Sequence, residues 1–178
     1  MLLSAEVSLG DLVVFVKREN LVPFFRVCKL DKDLQFNLLL DVTAVDWLDS
    51  RPERFEVVYL LRSLVTLHEL RVKTSITETA AKVESVTILW ASANLLEREV
   101  WDMYGIKFEG HPDLRRILMY DEFEGFPLRK DYPVQGKQPR VGLRSPEVSN
   151  TARNMRREAL VKINKPKRDS ASPVQEAH

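Results

Sequence analysis

The sequence predicts an α+β fold: a mostly antiparallel or mixed sheet with helices packed on it, then a long irregular loop and an extended C-terminal tail. Three observations lead there. Three strand-like runs follow one another between residues 36 and 77, helical patterns flank them, and the last aromatic residue is Tyr132. Strands in succession with helices on either side suggest an α+β layer.

The elements read in order as follows. Gly10–Asn20 reads as a first helix, with Ser8 as its cap and an end before Pro23, and a short second helix follows over Val27–Leu34. Phe36–Trp47 is the first strand run, rich in Leu and Val, and Arg51-Pro52-Glu53 breaks the chain after it. Arg54–Val65 is the second, placing Phe55, Val57, Tyr59 and Leu61 on one face. Glu69–Thr77 is the third, alternating Leu70, Val72, Thr74 and Ile76 against polar and charged residues.

A helix over Asn94–Tyr104 has Asn94 as cap, an apolar stripe of Leu96, Val100, Met103 and Tyr104, and Gly105 at the position after its end. Its charges are Glu97 and Glu99 near the positive end and Arg98 and Asp102 as i, i+4 partners. After Gly105 only Arg116–Tyr120 looks strand-like, and irregular stretches of this length are usually functional or bound to something. The globular domain is therefore placed at 1–133. The tail, 134–178, lacks aromatics, carries four of the nine prolines and cannot fold alone. Within it Thr151–Ile163 is a candidate helix, with a narrow stripe of Ala152, Met155, Ala159 and Ile163.

Composition sets outer limits. The 178 residues are 44% hydrophobic and 30% charged, enough to bury a core, and no apolar run approaches the about 20 residues of a membrane span. The N-terminal residues carry no targeting signal, and the single cysteine, Cys28, excludes an internal disulfide and suits a reducing compartment. The formal net charge of +1 averages unlike halves: residues 137–178 carry ten Lys/Arg against four Asp/Glu, and residues 1–136 seventeen against twenty-two. An acidic body thus bears a basic arm. The arm is expected to dock on a partner, with a disordered arm or one touching lipid or nucleic acid as the other readings.

Much chemistry is absent. Six scattered glycines allow neither GxGxxG nor a phosphate loop, one cysteine cannot hold an iron–sulfur cluster, and His68, His111 and His178 have no zinc spacing. Cys28 lies in the apolar context FFRVCKL and reads as a buried structural thiol. Glu97 and Glu99 diverge by about 160° around a helix, so they form no acid–base dyad; Glu97, Glu99 and Asp102 read as a solvated or salt-bridged face. His111, before Pro112, reads as a hydrogen-bonding pin. Arg115, Arg116, Arg129 and Lys130 form a knot of charge on a proline-stiffened loop, suited to carboxylate contacts either within the domain or across an interface. The residues by themselves describe a cofactor-free binding domain.

Two long motifs say more. Glu97-Arg98-Glu99, Asp102-Met103-Tyr104-Gly105-Ile106, Phe108, His111-Pro112 and Leu114-Arg115-Arg116-Ile117-Leu118 form the first; Glu124-Gly125 and Pro127-Leu128-Arg129-Lys130-Asp131-Tyr132-Pro133 form the second. With the less specific segments Asp41–Trp47 and Arg54–Tyr59, they resemble the thirty-kilodalton subunit family of respiratory complex I over about residues 36–146. Phe126 departs from the His or Tyr usual there, and Leu95-Leu96 from a usual aromatic.

The resemblance implies a peripheral-arm subunit of proton-translocating NADH:quinone oxidoreductase on the cytoplasmic face of the bacterial inner membrane. It implies an α+β domain packed on the large quinone-site subunit and beside iron–sulfur subunits, with a structural and assembly role. The subunit is expected to hold no catalytic residue, cofactor or metal; FMN and iron–sulfur clusters belong to partner subunits. It reaches the membrane only through the complex and binds no nucleic acid. The motif positions carried over as candidate interface residues are Glu97, Arg98, Glu99, Asp102, His111, Arg115, Arg116, Arg129, Lys130 and Asp131. The alternative is the same fold in a membrane-bound hydrogenase or a quinone oxidoreductase fed by another donor.

Overall fold

In a computed structural model, residues 2–139 and 141–142 are described. Five strands form a mixed sheet in the order β1 (Leu2–Ser8), β2 (Asp11–Val16), β5 (Glu69–Ile76), β4 (Phe55–Arg62), β3 (Leu38–Asp46). All neighbours are antiparallel except β2 and β5, which run parallel because the chain crosses through α1 (Leu21–Leu30), β3 and β4 between them. A second, two-stranded parallel sheet joins β6 (Lys82–Glu84) to β7 (Lys107–Glu109), and α2 (Ala93–Tyr104) lies between them in sequence. The α+β class with a mixed sheet is as expected.

The three central strands match the expected runs. In β4, Val57, Tyr59 and Leu61 pair with Thr74, Val72 and Leu70 of β5 and with Ala44, Val42 and Leu39 of β3. Their side chains meet the helices on one face: Phe25 of α1 lies edge-on to Tyr59 at 4.9 Å and to Trp90 at 5.6 Å. Leu21, Val22, Phe25 and Cys28 are the buried stripe of α1, and Ala93, Val100 and Met103 that of α2. Cys28 is a buried free thiol, pushed up to about 11 by desolvation.

The N-terminal third corrects the sequence reading. Residues 10–20 are not one helix: Leu9 (φ 53°) and Gly10 (φ 92°) make a two-residue hairpin turn, Ser8 pairs with Asp11, Leu12-Val13-Val14-Phe15-Val16 continues as a strand, and only Arg18–Asn20 form a single 3-10 turn. The β-branched run and Gly10 are both hairpin signals. Pro23 does not stop a helix. It sits in the first turn of α1, where the missing N–H leaves no intrahelical bond unmade. The two expected helices are replaced by one, Leu21–Leu30, and Asp31 ends it by accepting the N–H groups of Asp33 and Leu34.

Helix α2 starts one residue before the expected Asn94, and Ser92 stands at the cap position without a side-chain bond to the helix's own N–H groups. Gly105 ends it in the left-handed conformation (φ 77°), as expected, its N–H donating to Trp101 O at 2.8 Å. No strand forms over Arg116–Tyr120. A compact unit runs through Pro139, with Arg140–His178 as the remainder. The candidate helix 151–163 lies outside the described residues.

Candidate functional site

The irregular chain after α2 runs over a frame of buried charge, built from the end of the β3–β4 hairpin and from α2. Asp102 is the centre of the first anchor. It is fully buried, and its Oδ2 accepts three consecutive backbone N–H groups, Ile117 (3.1 Å), Leu118 (2.8 Å) and Met119 (2.9 Å). Its Oδ1 takes Arg116 Nη1 at 2.6 Å. These three N–H groups turn inward to one oxygen, which is why the segment makes no ladder and the strand expectation fails. Three successive donors around an anion form a backbone nest.

Arg116 then reaches onward, donating through Nη2 to Phe123 O (2.8 Å) and Gly125 O (3.1 Å). Its guanidinium lies 5.6–5.8 Å from the ring centres of Trp101, Phe123 and Phe126. Burial pushes the Asp102 carboxyl up, but the Met119, Arg116, Leu118 and Ile117 donors outweigh it and hold the group below its ordinary range.

Arg54 and Asp46 make the second anchor. Arg54 grips both Asp46 oxygens, through Nε and Nη2 at 3.0 Å each, and extends to Glu78 (2.7 Å) and Asp131 (2.8 Å). Asp46 Oδ2 also accepts the backbone N–H of Lys130 at 2.9 Å. Residues 130 and 131 are thereby tied to the hairpin more than seventy residues upstream. Desolvation raises Asp46, yet its bonds from Arg54, Lys130 and Leu48 lower it overall; Asp131 is lowered chiefly by Arg54.

Smaller ties complete the frame. Arg98 donates to Arg115 O and Arg116 O at 3.1 Å each, so it supports the loop rather than pairing with Asp102 as expected. Arg129 Nε caps the end of α2 at Tyr104 O (2.6 Å), and its guanidinium stacks over Phe126 (4.8 Å) and Phe55 (5.1 Å). The Phe126 ring covers Gly105 so closely that a Cβ there would fall 2.5 Å from it. His111 is the expected pin. Asp113 N–H donates to Nδ1 (3.0 Å), which assigns the proton to Nε2, and that nitrogen bonds Asn94 O at 3.0 Å.

The ten motif residues therefore fall into two groups. Glu97, Arg98, Asp102, His111, Arg116 and Arg129 are buried or half-buried and bonded within the chain, and Asp131 is bound to Arg54 from an exposed position. Glu99, Arg115 and Lys130 are exposed, Arg115 making only a surface pair with Asp113 at 2.9 Å. Of the solvated or salt-bridged face expected for Glu97, Glu99 and Asp102, Glu99 is exposed and Asp102 is salt-bridged to Arg116 but fully buried, while Glu97 is neither, being fully buried with neutral partners. What the frame leaves outside is mixed. Asp113, Asp121, Glu122 and Glu124 are exposed, and so are the apolar side chains of Ile117, Leu118 (56%), Tyr120 and Leu128 (52%). Among the described residues no group of three or more His, Cys, Asp or Glu is placed to hold a metal, and no helix is long and apolar enough to cross a membrane.

A family profile described as "Respiratory-chain NADH dehydrogenase, 30 Kd subunit" matches residues 14–138. The chain belongs to that family. Among its relatives, the C subunit of NADH-quinone oxidoreductase from Geobacter metallireducens is 49% identical over 128 residues, 71% of this chain and 77% of the relative. The corresponding protein of Citrifermentans bemidjiense is 50% identical over 127 residues, with the same shares. A solved trypsin-resistant fragment (1–134) of Nqo5 superposes with a TM-score of 0.55 at 42% identity, covering 62% of this chain and 89% of the fragment. A chain of the membrane-bound sulfane sulfur reductase, an archaeal respiratory membrane complex, shares the fold at TM-score 0.64 and 23% identity, covering 96% of this chain and 90% of that one.

Two residues that organise the frame, Asp46 and Arg54, are not among the candidates that the sequence singles out. They stand in the two segments that resemble the family less specifically, Asp41–Trp47 and Arg54–Tyr59. The usable signal was their position: an acid and an arginine flanking one hairpin loop, at the ends of paired strands.

Proposed function

We propose that this chain is a cofactor-free, peripheral-arm subunit of a proton-translocating NADH:quinone oxidoreductase, with a structural and assembly role at the cytoplasmic face of a bacterial inner membrane. Its site is a docking surface. The observation that carries this reading is how the buried motif charges are used: Arg98, Asp102, Arg116 and Arg129 bind the chain's own backbone carbonyl and N–H groups. Charge spent this way fixes the shape of an irregular segment and adds no reaction chemistry.

The product of that fixing is an ordered stretch that leaves Ile117, Leu118, Tyr120 and Leu128 exposed, with Arg115 and Lys130 exposed on the same stretch. Exposed apolar side chains held in a fixed shape suit burial against a neighbouring subunit. The neighbour we assign is the large subunit that shapes the quinone cavity, with FMN and iron–sulfur clusters carried by partner subunits. The names of the relatives at 49–50% identity favour the NADH-fed complex over a hydrogenase or another donor.

Affinity purification of the full chain from its native membrane in mild detergent, with mass spectrometry and metal and flavin analysis, tests this. Recovery with a large quinone-site subunit, iron–sulfur subunits and a flavin-bearing NADH module is expected, with neither iron nor flavin on the isolated chain. A nickel-hydrogenase large subunit in their place selects the alternative. Stoichiometric cofactor on the isolated chain refutes the reading.

A further inference from the structure

Glu97 is the one buried motif carboxylate that no cation answers among the described residues. It is completely buried on α2, and among the described residues it makes no ion pair. Its partners are neutral: Val86 N–H donates to Oε1 at 2.7 Å, and the Ser85 hydroxyl bonds Oε2 at 2.6 Å. The titratable group facing it from the sheet is Tyr59 of β4, itself fully buried, whose hydroxyl has no hydrogen-bond partner. Nothing in this arrangement requires a negative charge. Asp102, one and a half turns along the same helix, is equally buried but has Arg116 and three N–H donors.

The hydroxyls around Glu97 are arranged to hold either protonation state. Ser85 Oγ lies 2.8 Å from Thr87 Oγ1 and accepts the Thr87 backbone N–H at 3.2 Å. Thr87 is only half-buried, so the line Glu97–Ser85–Thr87 leads from the interior to the surface. A serine hydroxyl has one donor and two acceptor positions. With Glu97 protonated, its O–H donates to Ser85, Ser85 donates to Thr87, and Thr87 turns its proton outward. With Glu97 ionised, each hydroxyl reverses: Thr87 donates to Ser85 and Ser85 to the carboxylate. No partner is lost in either state.

We propose that Glu97 is a buried proton-binding site that exchanges with solvent along the Ser85–Thr87 hydroxyl pair. Release takes the Thr87 hydroxyl proton to water, the Ser85 proton to Thr87 and the Glu97 proton to Ser85, with a carboxylate as the net product. Desolvation is the dominant influence and pushes the group up to about 7, against the Ser85 and Val86 bonds. The sign follows. Unfolded, the carboxyl ionises near 4.5; folded, it keeps its proton to about 7, so the stability contributed by this site falls as pH rises between those values and is level above them. The joint between α2 and the segment after β6 is therefore tighter on the acid side.

The test is denaturant unfolding of the full chain from pH 4.5 to pH 8, wild type against Glu97→Gln, whose amide reproduces the protonated pattern. Relative to the variant, the wild-type folding constant is expected to fall by on the order of 100-fold across that range, since each unit of difference counts tenfold. Parallel profiles overturn the proposal. Carbon-13 NMR of glutamate-labelled wild-type chain reads the same titration without a variant, and a Glu97 midpoint near 4.5 equally overturns it. Two substitutions test the hydroxyl pair in opposite directions. Ser85→Ala removes a donor to the carboxylate and should move the midpoint up. Thr87→Val leaves Ser85 no acceptor but the carboxylate and should move it down. Shifts of the same sign, or none, contradict the exchange line.

Discussion

Replacing Asp102 by Asn separates a pinned loop from a merely adjacent one. The substitution keeps the size of the side chain but removes the charge, and its amide replaces one of two oxygens that together take four donors: Arg116 and the Ile117, Leu118 and Met119 N–H groups. The guanidinium it leaves is only 12% exposed, so water cannot fully replace the lost partner. Removing one member of a buried pair costs about 3–5 kcal/mol, a large share of the about 5–15 kcal/mol that holds a typical domain folded.

The cost should appear in two places. Urea unfolding followed by tryptophan fluorescence should report the loss of stability, and trypsin should cut the loop at Arg116 and Arg129, which are shielded in the wild type. A double-mutant cycle with Arg116→Gln isolates the pair: the double variant should be less damaged than the sum of the singles, by about 0.5–3 kcal/mol. If Asp102→Asn costs under about 1 kcal/mol and the loop stays resistant to trypsin, the Asp102 anchor does not hold the loop.

Other outcomes follow from the same frame. Arg54→Lys cannot reproduce the two-oxygen grip on Asp46 together with the reach to Asp131, and should cost about 2–4 kcal/mol and expose the 129–131 segment to trypsin. Gly105→Ala meets both a left-handed φ of 77° and the Phe126 ring, so it should cost more than the about 1 kcal/mol of backbone strain alone, and Phe126→Leu in the same chain should recover part of the loss, as read by thermal unfolding. Acid unfolding should be steep: Asp46, Asp102 and Asp131 are held below their ordinary value of 3.8, so their contribution is present above that pH and is lost as pH falls through and below it. Asp102→Asn should flatten that acid limb.

The central sheet was legible because its runs of β-branched and aromatic residues carry a period of two with little ambiguity, as in Phe55, Val57, Tyr59 and Leu61. The first thirty residues were not. Leu12–Val16 is an apolar run too short for periodicity to settle, and Pro23 suits a helix start as well as it suits a stop. Gly105 and His111 are legible because a left-handed helix end and a histidine pin are local devices. The destination of the charges is not local. Asp102 meets partners 14–17 residues away and Asp46 meets Lys130 at a separation of 84, and no helical wheel distinguishes a carboxylate that a loop later covers from one facing water. Glu97 and Asp102 read as part of a solvated or salt-bridged face for that reason, with no sign that both would be fully buried.

The most direct measurement is co-purification of surface variants. If, as proposed, the buried charges build the loop and the exposed apolar side chains dock on a large subunit, Leu118→Glu with Leu128→Glu, at positions more than half exposed, should unfold at the wild-type denaturant concentration yet fail to co-purify with that subunit from mild detergent. A doubly substituted chain that folds normally and still brings down the intact complex would contradict that division of labour.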